Sequence, residues 1–397
     1  MAVLVYIDPL DTCFFRDARA FGAAASTFAA SGQPTGLTLY GALGSLVLAK
    51  HGCSLQDFVK GQANPSLQAK LGKYEAALQH NTFAIQGPWL TYTQITGARE
   101  LFFPPPANLW VSGPPDRQST LHFIYPQEKE GLGGVAWDLA GYPNLRPLTL
   151  PQTLPGAWPP EPGSAYLSQA AIRQYLAGSL RSLGGSRAES RFYLRESRAG
   201  NRVAPESWCT AEAYLFFTEH LRFQEELSGN VYRRAGLAVV ANTLEPADLG
   251  DGCLFVGGER RQAVLGCEDL TGKLIAEDPQ VLQTIQEKKR FLLYLATPAI
   301  FSQGWQRPWP FPAGVQLVGA AVGKPLRLSG WSRGQHHAGG RPRPFYRAVP
   351  AGSVYFFEAP NWSPDQFQEM YTTFHCHQSL SEQYASAGLG VALVGVW

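Results

Sequence analysis

This 397-residue chain has few charged residues, which excludes a surface that is cationic throughout. Charged residues make up 16% of the sequence, against about 25% in typical soluble domains. The net charge is only +2, so a generally cationic coat is excluded, whereas local basic patches are not. The hydrophobic content of 45% and the aromatic content of 12% argue against disorder.

The sequence also lacks a cysteine pattern and a long apolar run. Its six cysteines contain no Cys-x-x-Cys pair, which argues against a zinc module or a disulfide framework and predicts reduced thiols. No run approaches the roughly 20 apolar residues that span a bilayer. The N-terminus has no basic flank of the kind that precedes a signal peptide. We therefore expect a cytoplasmic protein without membrane contact.

Glycine and proline are plentiful, with 41 and 30 residues, and the length allows two hydrophobic cores. From residue 237 onward the pattern predicts strand, helix, strand, strand, helix, strand, which is compatible with a ferredoxin-like (RRM-like, βαββαβ) domain. Residues 3 to about 205 fit a second copy. The predicted class is α+β, with two ferredoxin-like domains at 1–205 and 206–397 that carry large insertions. The largest insertion is the Pro/Gly-rich stretch 114–162.

Residues 324–347 form a basic stretch without a single acidic residue. Six cations give it a charge of +6 on a chain whose total is +2. Such a loop between two predicted strands is typical of a polyanion site. We predict RNA contact at Arg341 and Arg343, with contact to a partner as the alternative for this loop. The six cations are Lys324, Arg327, Arg333, Arg341, Arg343 and Arg347.

A second basic cluster spans residues 181–202, where six arginines face two glutamates, a balance of +4. Phe192 and Tyr193 are interleaved with the arginines. Guanidinium groups suit phosphates and aromatic rings stack on bases, so the cluster predicts a thumb-like hairpin that contacts single-stranded RNA. The alternative is a solvated hairpin with cross-strand ion pairs. The candidate residues are Arg191, Arg195, Arg198 and Arg202.

Two histidine groups raise other classes of function. His375 and His377 lie two residues apart at the end of a predicted helix, where side chains at i and i+2 point to different faces. This spacing argues against a metal site and predicts a packing or capping role for His375. A ribonuclease using His336 or His337 would need a positioned base, which a flexible loop does not supply. No cofactor is predicted.

A set of motifs, in this order along the chain, resembles the third subunit of the type III-B (Cmr) CRISPR effector complex, a member of the RAMP superfamily. The motifs are Asp11-Thr-x-Phe-Phe-Arg-Asp17, Gly257-Gly-Glu-Arg260, residues 293–301 with Gly304-Trp305, Gly330-Trp331, residues 347–357, and the terminal Gly388-x-Gly390 strand. The resemblance covers nearly the full length and is densest after Gly257.

The resemblance implies two ferredoxin-like domains, no nuclease activity and a role in antiviral defence. It implies that the protein holds the 5′ handle of the guide RNA. The implied protein partners are the large polymerase-like subunit and the neighbouring backbone RAMP subunit. Carried over by residue, it implies RNA-facing roles for Arg16, Arg19, Gly257, Gly258, Arg260, Arg261, Gly388 and Gly390.

A purely structural adaptor is the rival interpretation. It would touch neighbouring proteins and barely touch RNA. The insertion at 114–162 and three tryptophans favour it, because aromatic residues are enriched at protein interfaces. These tryptophans are Trp110, Trp137 and Trp158.

Overall fold

Strands dominate the architecture, which is mixed α/β. The structure is a computed structural model, and it describes residues 2–16, 28–74, 78–79, 81–113, 120–127, 142, 144–150, 161–228, 231–250, 252–332 and 341–397. Within these ranges, none of the helices combines the length and the apolar character needed to cross a bilayer. The composition of elements agrees with the predicted α+β class in its coarse form.

The strands and helices take the following bounds. The strands are β1 (Ala2–Pro9), β2 (Thr12–Cys13), β3 (Phe28–Ala29), β4 (Ile85–Gln94), β5 (Arg99–Phe103), β6 (Leu109–Ser112), β7 (Thr120–Phe123), β8 (Tyr125–Pro126), β9 (Leu148–Thr149), β10 (Glu161–Pro162), β11 (Ala165–Ser168), β12 (Arg187–Ala188), β13 (Tyr193–Val203), β14 (Thr210–Phe223), β15 (Glu225–Ser228), β16 (Val231–Asn242), β17 (Cys253–Val256), β18 (Arg261–Leu270), β19 (Arg290–Leu295), β20 (Gln316–Ala321), β21 (Leu326–Leu328), β22 (Trp331–Ser332), β23 (Arg341–Pro342), β24 (Tyr346–Ala348), β25 (Val354–Glu358), β26 (Ala387–Gly388) and β27 (Ala392–Gly395). The helices are α1 (Gly36–Lys50), α2 (Leu55–Val59), α3 (Pro65–Leu71), α4 (Gln169–Leu176), α5 (Pro246–Leu249), α6 (Pro279–Lys288) and α7 (Pro364–Phe374), with 3-10 turns at Glu189–Arg191 and Gly258–Arg260.

The largest sheet, which we call the main sheet, runs in the order β12-β11-β5-β4-β16-β1-β18-β17. Its central strand β1 is buried on both faces because its residues are apolar at successive positions. Val3, Val5 and Ile7 pack into the core that contains Leu39 and Leu43 of α1. Leu4 and Tyr6 point into a second core on the opposite face. We call the α1 side of this sheet the inner face and the other side the outer face.

The main sheet contains strands from both sides of residue 205. β16 and β18 both pair antiparallel with β1, so that Val5 lies opposite Val239 and Cys267. The strand that was predicted to open the C-terminal domain at residue 237 therefore belongs to the same sheet as the N-terminus. The hydrophobic pattern of β16 suits either sheet, because pattern alone does not select a pairing partner.

A second, four-stranded sheet has the order β20-β25-β19-β27, and all its pairs are antiparallel. Helices α6 and α7 pack with its strands in a core that includes Ile285 and Phe367. Both helices begin as the sequence predicts. Asp278 is the N-cap of α6, and Ser363 forms a capping box with Gln366 in α7.

The described parts of the insertion fold back onto this second sheet. Pro126 and Leu148, in the short pair β8–β9, lie against Gly319 of β20. Arg146 donates two hydrogen bonds to the carboxylate of Glu358, at 2.6 and 2.9 Å. These contacts tie the insertion to the C-terminal part of the chain. Of the three tryptophans noted above, Trp110 is half-buried in β6, and Trp137 and Trp158 lie outside the described residues.

Candidate nucleic-acid interface

A groove of about 1270 Å³ brings together several of the segments that the sequence singled out. Its lining includes Arg16 of the first motif, the Gly257-Gly258 pair, and Arg343 of the basic stretch. Leu389, between the two terminal glycines, also lines it. Motifs from the two ends of the chain, Arg16 and Leu389 among them, therefore meet around one surface.

One wall of the groove is the glycine turn packed on the first motif. The Gly258 N–H donates to the Phe14 carbonyl at 2.8 Å. Gly257 has a φ of +74°, and a Cβ at this position would lie 2.5 Å from the same carbonyl oxygen. Only glycine fits this approach. The glycine pair therefore holds the turn against the segment that carries Arg16.

Another part of the groove lining comes from a two-stranded ribbon, β21–β24, in which Arg327 lies directly opposite Arg347. Both side chains are exposed, and neither makes an ion pair with any residue that the structure describes. Like charges directly opposite each other destabilise a strand pair. Because Arg327 also lines the groove, this pair is suited to hold an anion there.

The rest of the basic stretch adds cations and rings beside this pair. Lys324 and Arg341 are exposed and likewise have no ion pair among the described residues. Trp331 and Phe345, which line the groove, are 58% and 51% exposed. The Arg343 guanidinium lies 5.3 Å from the centroid of the Tyr384 ring. Guanidinium groups and exposed rings in one place are the elements of a single-strand binding site.

The predicted basic hairpin is present as β13–β14, but most of its arginines form hydrogen bonds or ion pairs within the protein. Arg195 donates to the Glu219 carboxylate and to the Ser31 carbonyl. Arg198 donates to Glu196 at 2.8 Å. The alternative interpretation, a hairpin with cross-strand ion pairs, agrees with these contacts.

Asp11 of the first motif extends this network beyond the hairpin. Its carboxylate lies 3.6 Å from Arg198, 3.3 Å from Arg222 and 3.4 Å from Arg261. Burial opposes ionisation of Asp11, but the Thr12 N–H and these guanidinium groups hold its pKa below the ordinary value. Hydrogen bonds from Arg222 and Arg198 lower the pKa of Glu196 to about 2.

The network is electrically balanced. Its four arginines are Arg195, Arg198, Arg222 and Arg261, and its four carboxylates are Asp11, Glu196, Glu219 and Glu259. Two other candidates of the hairpin region are less constrained. Arg191 lies 3.8 Å from Glu226 and is largely exposed. Arg202 stacks over Tyr214 at 5.2 Å.

His220 was missed by the sequence reasoning. It is buried in β14, and its ring stacks on Phe14 with centroids 5.1 Å apart. Its two ring nitrogens lie 3.3 Å from the Thr12 hydroxyl and 3.2 Å from the Thr218 hydroxyl. Burial lowers its pKa, which keeps the ring neutral. His220 joins the hairpin to the first motif. The only feature of the sequence that could have indicated its role is a single histidine within a strand rich in aromatic residues.

The terminal glycines are buried, and the structure gives both a packing role. A Cβ on Gly388 would lie 2.5 Å from the Gly87 carbonyl oxygen, and one on Gly390 would lie 2.2 Å from the Ser381 nitrogen. Their contact with RNA stays a prediction. Arg260 is exposed at the glycine turn, with a φ of +50°.

The histidines at the end of α7 do not converge. His375 is the C-cap residue of α7, as predicted, and its Nδ1 accepts from the Val394 N–H at 3.1 Å. Burial lowers its pKa to about 4. His377 is exposed. The described part of the chain contains no group of three His, Cys, Asp or Glu residues placed to hold a metal ion. Arg19, His336 and His337 lie outside it.

The fold and the site together define a strand-rich α/β protein with a groove lined by three arginines, Arg16, Arg327 and Arg343. The sequence matches the family model described as CRISPR-associated protein (Cas_Cmr3) over residues 5–397. The chain therefore belongs to the Cas_Cmr3 family. This confirms the resemblance to a type III-B (Cmr) CRISPR subunit that the motifs indicated.

Two solved structures are similar to this chain at low identity. One is a chain in the cryo-EM structure of type III-B Cmr-beta bound to cognate target RNA and AMPPnP, state 1, with 15% identity and a TM-score of 0.45. The other is a chain of Cmr-beta bound to cognate target RNA, with 15% identity and a TM-score of 0.46. Each match covers 90% of this chain and 86% of the other. No significant match was found among curated proteins.

Proposed function

We propose that this protein is a non-catalytic RNA-binding subunit of a type III-B CRISPR ribonucleoprotein and a member of the RAMP superfamily. It holds the 5′ handle of the guide RNA. It also docks the large polymerase-like subunit and the neighbouring backbone RAMP subunit, in the cytoplasm, for antiviral defence. The observation that supports RNA binding most directly is the Arg327–Arg347 pair beside the groove, which forms no ion pair with the part of the chain that the structure describes.

The chemistry of the groove suits single-stranded RNA. Phosphates of a single strand follow one another closely, so adjacent guanidinium groups can each take one phosphate oxygen pair. Trp331 and Phe345 present exposed rings on which unpaired bases can stack. The first turn of α1, which also lines the groove, contains no acidic residue that would repel phosphate. None of these contacts requires a particular base sequence.

The first experiment reverses both charges of the pair. In the assembled complex, Arg327→Glu with Arg347→Glu is expected to weaken binding of a labelled guide RNA by about tenfold or more, because two phosphate contacts become repulsive. The matched control is Arg173→Glu with Lys288→Glu, which changes the net charge equally at exposed helix positions. Guide RNA affinity that is the same in both variants would contradict the proposal.

A second experiment locates the handle. Ultraviolet crosslinking of a guide RNA with photoreactive nucleotides at each handle position is expected to attach handle nucleotides to this subunit near residues 327–347. Crosslinks that fall only on other subunits would favour the adaptor interpretation. Spacer nucleotides crosslinked here in place of the handle would keep RNA binding but would move the site along the guide.

A further inference from the structure

The outer face of the main sheet carries an exposed apolar corner that RNA binding does not explain. Strands β17 and β18 alternate, with Leu254 and Ala263 buried on the inner face. The outward residues Phe255 and Val264 are 55% and 42% exposed. Leu10, which follows β1 at the same corner, is 49% exposed. A solvated sheet face normally places polar residues at such positions.

These three residues form one surface, which we call the corner patch (Leu10, Phe255 and Val264). Val264 lies opposite Asp8 of β1, and Phe255 lies opposite Gln262, two residues from Val264 on the same face. The Leu10 N–H donates to the Gln262 carbonyl at 3.0 Å. Strand β17 ends the sheet. Contiguous exposed apolar residues at a sheet edge are typical of a protein interface.

An acidic group lies beside the corner patch. Asp8 is only 8% exposed, and its Oδ1 has no hydrogen-bond partner among the described residues. Burial raises the pKa of Asp8, as expected where the cost of burying a carboxylate is incompletely offset. Glu268, exposed on the same outer face, lies about 13 Å from Val264 along the strand.

The cations of this face are already engaged. The Arg99 guanidinium lies 3.9 Å from the Tyr6 ring centroid and 4.0 Å from the Asp8 carboxylate. Arg234 donates to the Pro9 carbonyl at 2.6 Å and lies 3.5 Å from Glu225. The corner patch therefore adjoins a carboxylate with one oxygen that has no hydrogen-bond partner among the described residues and a single long ion pair, to Arg99 at 4.0 Å. The two cations beside it make other contacts as well. Carboxylates beside the patch and few available cations disfavour binding of a phosphate backbone. They favour binding of a protein surface that contains a lysine or an arginine.

We infer that the corner patch docks a neighbouring protein subunit of the complex, one whose surface presents apolar side chains together with a lysine or arginine directed toward Asp8. This inference rests on the proposed membership of a multi-subunit complex, and it assigns one surface for that docking. It does not depend on the RNA site, because none of the three corner-patch residues lines the groove.

The test is capture of the other protein subunits in the absence of RNA. The full chain with Phe255→Ser and Val264→Thr is mixed with the purified remaining protein subunits and followed by size-exclusion chromatography and light scattering. We expect retention of one subunit to fall at least tenfold, with guide RNA affinity and melting temperature unchanged. The control is Ile95→Ser with Leu227→Ser, two exposed apolar residues outside the corner patch, one directly after β4 and one in β15.

A second variant tests the charge separately from the apolar surface. Glu268 is exposed, and the hydrogen bond that its carboxylate accepts from the Tyr6 hydroxyl is a long one, at 3.3 Å. Glu268→Lys should therefore leave the fold intact while repelling a basic partner. We expect it to weaken capture several-fold at low salt and to have less effect at high salt. This result would hold even if the Phe255 variant failed to fold.

Each outcome decides the inference. Unchanged capture with both variants overturns it. Loss of RNA binding with capture intact means that the corner patch contacts RNA, which also overturns it. If reversal of Arg327 and Arg347 leaves guide RNA affinity unchanged while the Phe255 variant still loses a subunit, the RNA proposal fails and the docking surface stands.

Discussion

Glu196 is the residue through which the hairpin is fixed to the body of the protein. It accepts from Arg198 within its own strand and from Arg222 in the neighbouring strand. Arg198 and Arg222 in turn contact Asp11 of the first motif. Single exposed ion pairs contribute little to stability, but a network in which one carboxylate serves two arginines contributes more. The orientation of the hairpin should therefore depend on the ionisation of Glu196.

This dependence gives a pH prediction with a definite sign. The pKa of Glu196 is lowered from 4.5 to about 2 in the folded protein, so its stabilising effect is present above pH 4.5 and is lost as the pH falls toward 2. We expect the amides of β13 and β14 to exchange faster at pH 3 than at pH 5, after correction for intrinsic exchange rates. Hydrogen exchange followed by mass spectrometry measures this.

The control for this prediction removes the titrating group. Glu196→Gln should show the faster hairpin exchange already at pH 5, and its exchange should change less between pH 5 and pH 3. Equal protection of the wild-type hairpin at the two pH values would mean that Glu196 does not hold the hairpin.

At the scale of single residues, the sequence singled out a stretch that contributes residues to the groove. A count of charges over residues 324–347 was enough to single out Arg341 and Arg343. The count could not show that Arg327 faces Arg347, because that contact depends on the register of β21 and β24. In the same way, the sequence could not show that Arg195 pairs with Glu219, because the two residues are 24 positions apart and meet only through the pairing of β13 with β14.

At the scale of elements, the backbones of three elements pack closely together: the start of α1, the start of β4, and β26 near the C-terminus. A Cβ on Gly36 would lie 2.0 Å from the Ala387 carbonyl oxygen. Ala387 and Gly388 pair in parallel with Ile85 and Gln86 of β4. The terminal glycine motif is therefore explained by the close packing of α1, β4 and β26.

This packing predicts the cost of a side chain at Gly388. Gly388 has a φ of +85° and Gly97 a φ of +83°, but only Gly388 has a neighbouring atom within 4 Å of an added Cβ. We expect Gly97→Ala to cost about 1 kcal/mol of unfolding free energy from backbone strain. We expect Gly388→Ala to cost about 2–4 kcal/mol, because a clash is added to the same strain.

Chemical denaturation of the two variants measures the difference. Equal costs at the two positions would show that the space around Gly388 is less restricted than the contact with Gly87 indicates. Guide RNA affinity of Gly388→Ala, measured where the variant is folded, separates packing from the RNA contact that the family resemblance implies.

Elements with local signals were predicted well, and elements defined by distant partners were not. The start of α7 follows from Ser363, Pro364 and Gln366, which act within one turn. The start of α6 follows from Asp278 and Pro279 in the same way. β16, in contrast, was recognised as a strand, but its pairing with β1 in the main sheet was not predicted. Its partners β1 and β4 lie more than 130 residues earlier in the chain. The local sequence of β16 does not identify which strands it pairs with.

At the scale of the whole molecule, the net charge of +2 conceals an uneven distribution. The hairpin network contains equal numbers of arginines and carboxylates. The segment 324–347 retains four described cations without an ion pair among the described residues, Lys324, Arg327, Arg341 and Arg347. Because counterions are released only from phosphates that meet a free cation, these two regions should contribute differently to RNA binding.

The salt dependence of binding measures that difference. Four phosphate contacts give a slope of log K against log salt of about −3 for a single strand, at about −0.7 per contact. Participation of Arg191, Arg195, Arg198 and Arg202 as well would bring the slope to about −6. For the complex reconstituted with this protein, we expect the slope of log K against log salt to become shallower by about 3 when all four cations of the 324–347 segment are neutralised. We expect little change when Arg195 and Arg198 are neutralised together with Glu219 and Glu196. The reverse pattern would place the RNA on the hairpin and leave the groove without a role in binding it.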